Sequence, residues 1–280
     1  MNVGIAVRKR SPLTFFAMVF ALSVPFWWIG SVTDLQLMPG LSVSALGTFC
    51  PMFAALLLVR RESGTTGVGD LLKRSFDFKR IKTKLWYLPV LLLMPLLTLL
   101  VYGLMRALDL PLPASPTQSQ SIAQVLAGLP IVSAPLMFAA FFVGALGEEL
   151  GWSGYVLDPL KEGWNALRAG LILGAVSVLW HFVPLLLSHR SLTYIAWWCL
   201  YAVAFRILIV WLYNNTGCSV FATALFHATL NLTWMLFPVN SSHFDIRLGG
   251  LVMACAAAVV IVFWGPRTLA RYRHAEPATP

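Results

Sequence analysis

Charge is what this sequence has least of. Lys, Arg, Asp and Glu make up only 11% of its 280 residues, while 59% are hydrophobic. A soluble domain carries roughly a quarter charged residues, so this composition excludes an ordinary water-facing surface. Acidic residues are scarcest, eleven against twenty basic ones. Cysteine is also sparse: Cys50, Cys199, Cys218 and Cys255 stand singly in apolar segments. Their spacing excludes a paired zinc motif or a disulfide framework, and they read as small packing residues. Asn214-Asn215-Thr216 and Asn231-Leu232-Thr233 match the glycosylation pattern, but each touches an apolar span and reads as a chance match. There is no internal repeat and no low-complexity tract.

What the chain does have is long apolar runs from one end to the other. They cover Pro12–Val32, Gly40–Val59, Leu85–Met105, Ile131–Leu150, Leu167–Leu187, Leu192–Tyr213, Cys218–Phe237 and Leu248–Trp264. Each is close to the ~20 residues that cross a bilayer as a helix. The expected fold class is therefore all-α: a polytopic membrane helix bundle of about eight transmembrane helices, with residues 1–280 forming one integral membrane domain. The first run follows Arg8-Lys9-Arg10 but is long for a signal peptide and lacks a small-residue cleavage site, so it is expected to be a retained helix.

The net charge of +9 would suit nucleic acid if it were spread over a soluble surface. Placed along the spans, the basic residues instead gather at alternate ends. Arg8, Lys9, Arg10, Arg60, Arg61, Lys73, Arg74, Lys79, Arg80, Lys82, Lys84, Lys161, Arg168, Arg267, Arg271 and Arg273 fall on the side of the N-terminus, and Arg106, Arg190 and Arg247 on the other. The positive-inside rule then puts both termini in the cytoplasm of a multi-pass protein, with a bacterial cytoplasmic membrane the expected location. Membrane lipid is the expected partner and nucleic acid is not. Residues Glu62–Lys84 mix apolar and basic side chains and fit either an amphipathic helix on anionic headgroups or a solvated loop. Leu110–Ser121 reads as an outer loop.

Against this apolar background a few polar residues stand out. Glu148 and Glu149 close the fourth run, where ionised side chains cost up to ~3 kcal/mol each at mid-membrane; the plain alternative is that they cap its cytoplasmic end and face water. His181 lies within the fifth run beside Pro184, and as a lone membrane histidine it suits a packing role equally well. His227 and Asn231 are four apart in the seventh run and so share one helical face. An imidazole and an amide so placed can donate to a developing oxyanion, or hold two helices together. Counted from the cytoplasmic side, His181 and His227 lie about 21 and about 14 Å into their spans at helical rise. These groups are expected to form one buried polar site opening toward the cytoplasm.

The order and spacing of these residues resemble the CPBP family, the CAAX-protease and bacteriocin-processing intramembrane enzymes that include type II CAAX prenyl endopeptidases and Abi proteins. Glu148-Glu149-Leu150-Gly151-Trp152-Ser153 is similar to Glu-Glu-x-x-x-Arg, Ser177 through His181 to Phe-x-x-x-His, and His227 through Asn231 to His-x-x-x-Asn. The matching motifs lie within residues 147–231. Ser153 stands where the family has Arg, and Ser177 where it has Phe. A guanidinium at position 153 would orient the second carboxylate, which a serine hydroxyl cannot do by charge. Arg206, buried in the sixth run, is a candidate substitute through an ion pair to Glu149; its alternative is to snorkel to the interface.

The resemblance implies an intramembrane endopeptidase acting on a membrane-associated peptide or protein, prenylated or bacteriocin-like. It implies that Glu148 activates a water held partly by His181, that His227 and Asn231 stabilise the oxyanion, and that Glu149 has a structural or electrostatic role. No cofactor is expected. Zinc held by Glu148, His181 and His227 ranks second, since there is no His-Glu-x-x-His helix. A transporter using the buried Glu and His residues, or a catalytically silent scaffold, are the alternatives outside peptide hydrolysis; the chain shows no pair of broken helices in corresponding halves.

Overall fold

The computed structural model describes residues 10–33, 35–38, 41–111, 130–236 and 244–270. Its helices start where the sequence offers a cap. Helix α1 (Pro12–Val32) begins with Ser11, whose Oγ accepts from the Thr14 N–H, and has Pro12 in its first turn. A short antiparallel pair, β1 (Gln36–Met38) and β2 (Leu41–Ser42), and a 3-10 segment (Val43–Phe49) lead into α2 (Cys50–Lys73). The small β pair is a local departure from the all-helical expectation. Helix α3 spans Tyr87–Ala107 and α4 spans Pro130–Gly151. A π-helical turn (Trp152–Val156) joins α4 to the short α5 (Leu157–Gly163). Helix α6 (Ala166–Leu187) is capped by Asn165, and α7 (Leu192–Asn215) by Ser191. Then come α8 (Val220–Leu236) and α9 (Ile246–Trp264), the latter capped by Asp245, which accepts from Arg247 N–H and Leu248 N–H.

Seven of these helices coincide with apolar runs, while the second run, Gly40–Val59, covers the 3-10 segment and only the first part of α2. Six are long and apolar enough to cross a membrane: Pro12–Val32, Val43–Phe76, Lys84–Ala107, Ala166–Leu187, Leu192–Asn215 and Ile246–Trp264. Val220–Leu236 is a shorter apolar helix, and α4 has 22 residues. The chain is thus a polytopic helical membrane bundle. Neighbouring helices close a ring in the order α1, α2, α4, α8, α3, α9, α7, α6 and back to α1, with α7 also touching α8 across it. Helix α7 is the most enclosed of the six long apolar helices, buried without interruption from Ala204 to Tyr213. Large apolar side chains such as Leu13, Leu136 and Phe263 point outward, as a lipid-facing surface requires.

Small residues set how closely the helices approach. A Cβ at Gly174 of α6 would lie 3.2 Å from Val203 Cα of α7, and one at Gly151 would lie 2.5 Å from the Pro51 carbonyl oxygen of α2. Glycine at both places lets backbone pack on backbone, the usual way helices associate where lipid supplies no hydrophobic drive.

Residues Glu62–Lys84, expected as an amphipathic surface helix or a solvated loop, are helical as far as Lys73; Leu71, Ser75 and Ile81 are buried, while Leu72, Phe76 and Phe78 are exposed. Helix α2 breaks at Gly64 (φ 67°) and continues to Lys73, after which 3-10 turns run under the bundle. Arg74 donates to the Gly154 carbonyl at 2.7 Å, the Tyr213 hydroxyl at 2.7 Å and the Cys218 carbonyl at 2.9 Å. Asp77 accepts from Ser219 Oγ, Val220 N–H and Phe221 N–H, serving as the N-terminal cap of α8 from a distant part of the chain. Most of the expected outer loop Leu110–Ser121 lies outside the described residues.

Candidate active site

Glu148 and Glu149 do not end their span. Helix α4 continues through the π turn and α5 to Gly163, so both carboxylates sit inside the bundle, 7% and 0% exposed. By hydropathy alone, the loss of apolar character after Leu150 marks the end of a membrane run. Here that polarity is satisfied internally, and the reading of two water-facing caps is excluded. π turns recur at functional sites because they re-aim side chains by one position. This one brings Trp152 Nε1–H to Glu148 Oε2 at 3.3 Å and Ser153 Oγ–H to Glu149 Oε2.

Adjacent on the chain, the two glutamates have different surroundings. Glu149 is bound from three helical segments: Ser153 on its own, Arg206 Nη1 of α7 at 2.8 Å and His227 Nδ1 of α8 at 3.0 Å, the last two on Oε1. Arg206 is 3% exposed, so this is a buried ion pair, and the snorkelling alternative is excluded. The guanidinium missing at position 153 is supplied from another helix, while Ser153 fills the remaining carboxylate oxygen. With such partners both Glu149 carboxylate oxygens are engaged within the protein. A buried pair of this kind is stable only because each partner remains in place.

Glu148 is more lightly held. Besides Trp152, Thr48 of the 3-10 segment contacts it: the Thr48 hydroxyl lies 3.4 Å from Oε1 and 3.3 Å from the Gly144 carbonyl, and its single proton serves one of them at a time. Together with His181, His227 and Asn231, Glu148 lines an inner cavity of about 190 Å3 whose other walls include Trp198, Tyr201 and Phe205. The structure therefore brings four of the five residues expected at the site onto one cavity, with Glu149 behind it.

The tautomers follow from the partners. His181 Nδ1 is 2.8 Å from the Ser177 carbonyl, which can only accept, so Nδ1 carries the proton and Nε2 keeps a lone pair. The Trp180 and Trp198 rings hold the imidazole from two sides, at centroid distances of 4.6 and 5.1 Å. Trp180 is in turn fixed by Nε1–H to Ser23 Oγ at 2.7 Å. His227 Nδ1–H is engaged by the Glu149 carboxylate, so its Nε2 accepts in the neutral ring and donates only in the imidazolium. Asn231, one turn along α8, offers an amide donor that needs no titration.

Among the described residues no three His, Cys, Asp or Glu side chains are grouped to hold a metal ion. Thr48, Trp152 and Trp198 also shape the site. Trp152 lies inside the first motif, where its spacing of four from Glu148 is a usable signal; Thr48 and Trp198 carry none.

A second cavity of about 460 Å3 shares Glu148 and His181 with the inner one and is walled by Thr33, Leu35, Ser42, Ser44, Leu187 and Ser188. These residues belong to the end of α1, the β pair, the 3-10 segment and the end of α6, all at the end of the bundle remote from Arg10 and Arg168.

Fold and site together define a class: a polytopic helical membrane protein with a buried carboxylate and imidazole centre. Residues 130–233 match the family described as type II CAAX prenyl endopeptidase Rce1-like. The chain is also 26% identical over 276 residues to CAAX prenyl protease 2 of Methanococcus maripaludis, an alignment covering 91% of this chain and 96% of that protein. The chain is thus similar to that family over the residues that hold the three motifs, and to that relative over most of its length. Both comparisons support a peptidase.

Proposed function

We propose that the protein is an intramembrane endopeptidase in which Glu148 is the general base and water the nucleophile. The observation that carries this reading is the shared cavity: Glu148, His181, His227 and Asn231 face one space while Glu149 is consumed by Arg206, His227 and Ser153. A water between the Glu148 carboxylate and the His181 Nε2 lone pair has an acceptor for its proton on one side and an orienting acceptor on the other. It attacks the peptide carbonyl, and the negative charge that develops on the oxygen is met by the Asn231 amide and, when doubly protonated, by His227 Nε2–H. Glu148, now protonated, passes the proton to the departing amine as the C–N bond breaks. The apolar walls exclude bulk water and strengthen each of these interactions.

By analogy with the relative's name, a membrane-associated protein or peptide is the substrate, prenylated chains included. The test is cleavage of a quenched fluorescent peptide library by protein reconstituted in liposomes. Wild type should turn over a subset of peptides, and Glu148→Ala should lose turnover while folding normally. Equal turnover by both proteins would refute the assignment of the base.

A further inference from the structure

We propose that the groove between α1 and α2 binds an anionic phospholipid, with an acyl chain along the groove and the phosphate on Arg60. This face takes no part in the candidate active site, and its role stands whether or not the peptidase reading does.

The groove follows from helical spacing. Phe53, Leu56, Leu57 and Arg60 recur three or four residues apart and so form one stripe on α2. Leu22 and Phe26, four apart, form the facing stripe on α1. Between the stripes lies a cavity of about 410 Å3, whose lining continues past the break in α2 to Thr65 and Val68. Gly64 makes that break: its φ is 67°, and a Cβ there would meet nothing within 4 Å, so the backbone and not packing calls for glycine. None of the lining residues is shared with the two cavities that hold Glu148.

Polarity along the groove runs in the order an amphiphile requires. From Leu22 to Leu57 the lining is apolar, and Phe53 and Leu57 leave about half their surface open to the bilayer. Arg60 follows, about 10 Å along α2 from Phe53 at helical rise. An ion pair between Arg10 and Glu62, at 3.5 Å, sets this part of α2 level with the start of α1, where the apolar span begins. Arg60 thus stands at headgroup depth, above an apolar channel that enters the membrane.

Charge identifies the occupant. Among the described residues no carboxylate pairs with Arg60 or with Arg61 beside it. Glu62 is taken by Arg10 and by the Tyr155 hydroxyl at 2.6 Å, and Asp70 by Lys73 at 3.0 Å. A guanidinium matches phosphate oxygens with its fork of donors, and Thr65 adds a hydroxyl to the same lining. Anionic headgroups are drawn to basic side chains at this depth. A zwitterionic lipid brings its own cation, which two adjacent arginines repel. Free phosphate satisfies the charge but leaves the apolar stripes uncovered.

The test is thermal unfolding of the detergent-purified protein, read by tryptophan fluorescence. Dispersed phosphatidylglycerol, phosphatidylcholine with the same chains, or inorganic phosphate is added. A ligand held by the folded state raises Tm. Phosphatidylglycerol should raise it by several degrees and the other two by much less. Arg60→Gln and Leu57→Gln should each remove most of that shift, while Lys82→Gln, an exposed cation outside the groove, should keep it. Native mass spectrometry should find phosphatidylglycerol retained on wild type and several-fold less on Arg60→Gln. An equal shift with phosphatidylcholine would reduce the groove to a seat for any lipid, and an equal shift with inorganic phosphate would reduce Arg60 to a bare anion site. A full phosphatidylglycerol shift in the Arg60 and Leu57 variants would place the lipid elsewhere. Each of these results overturns the proposal. Both substituted side chains are exposed, and two positions keep the test decisive if one variant misfolds.

Discussion

Removing Arg206 probes the site where it departs most from the family motif. In Arg206→Ala the Glu149 carboxylate keeps Ser153 and His227 but loses the guanidinium 2.8 Å away. Both partners are buried, at 3% and 0% exposure, so solvent cannot take over. Breaking a buried pair by deleting one member typically costs about 3–5 kcal/mol. For a bundle of this size that is a loss of several degrees in apparent Tm, and His227 loses the orientation that Glu149 gives it. Thermal unfolding of the detergent-purified protein, read by tryptophan fluorescence, gives the stability, and peptide turnover per folded molecule gives the activity. Both should fall, turnover by at least tenfold. The double variant Arg206→Ala with Ser153→Arg should recover part of each loss, because the second change returns a guanidinium to the motif position while the first vacates space beside Glu149. An Arg206→Ala protein with near-normal Tm and turnover would refute the pairing as a working part of the site.

Further outcomes follow from other contacts. Glu149→Gln retains the shape but removes the charge that holds His227 Nδ1–H; turnover should fall by about two to four orders of magnitude, by the logic of a carboxylate that orients a histidine, and Tm should fall too, because Arg206 is left buried without its counter-charge. In Gly151→Ala the new methyl would meet the Pro51 carbonyl at 2.5 Å, so α2 and α4 must separate; overpacking of this kind costs about 1–3 kcal/mol, read as a lower Tm, and turnover should fall with it. Asp77→Ala uncaps α8 and should cost about 1–2 kcal/mol while leaving turnover per folded molecule nearly unchanged at low temperature.

Much of this fold is legible in the sequence because a bilayer leaves few choices. Apolar length alone locates α1 at Pro12–Val32 and α6 within a residue of Ala166–Leu187. Glu148, His181, His227 and Asn231 are also visible, since polar groups in apolar runs need a reason. What pattern alone misses is tertiary. Hydropathy ends the fourth run at the glutamates, yet Glu149 is paired with Arg206 on another helix and the helix continues to Gly163. Within Glu62–Lys84, composition does not show that Arg74 and Asp77 spend their charge on carbonyls and on the start of α8. Thr48 sits on a 3-10 segment a hundred residues from Glu148 and offers no local signal. The pairing of Arg206 with Glu149 is readable because a lone buried arginine requires a carboxylate.

The most direct test of the central claim is the initial rate of peptide cleavage by reconstituted wild type and Glu148→Gln, each with and without a chelator. The substituted amide keeps the size of the side chain and an acceptor for Trp152 but cannot take a proton from water. The rate should therefore fall by at least about a thousandfold, the scale on which a general base contributes, in a protein of unchanged Tm, and chelator should alter neither rate. A Glu148→Gln protein that cleaves at a rate near wild type would contradict the account.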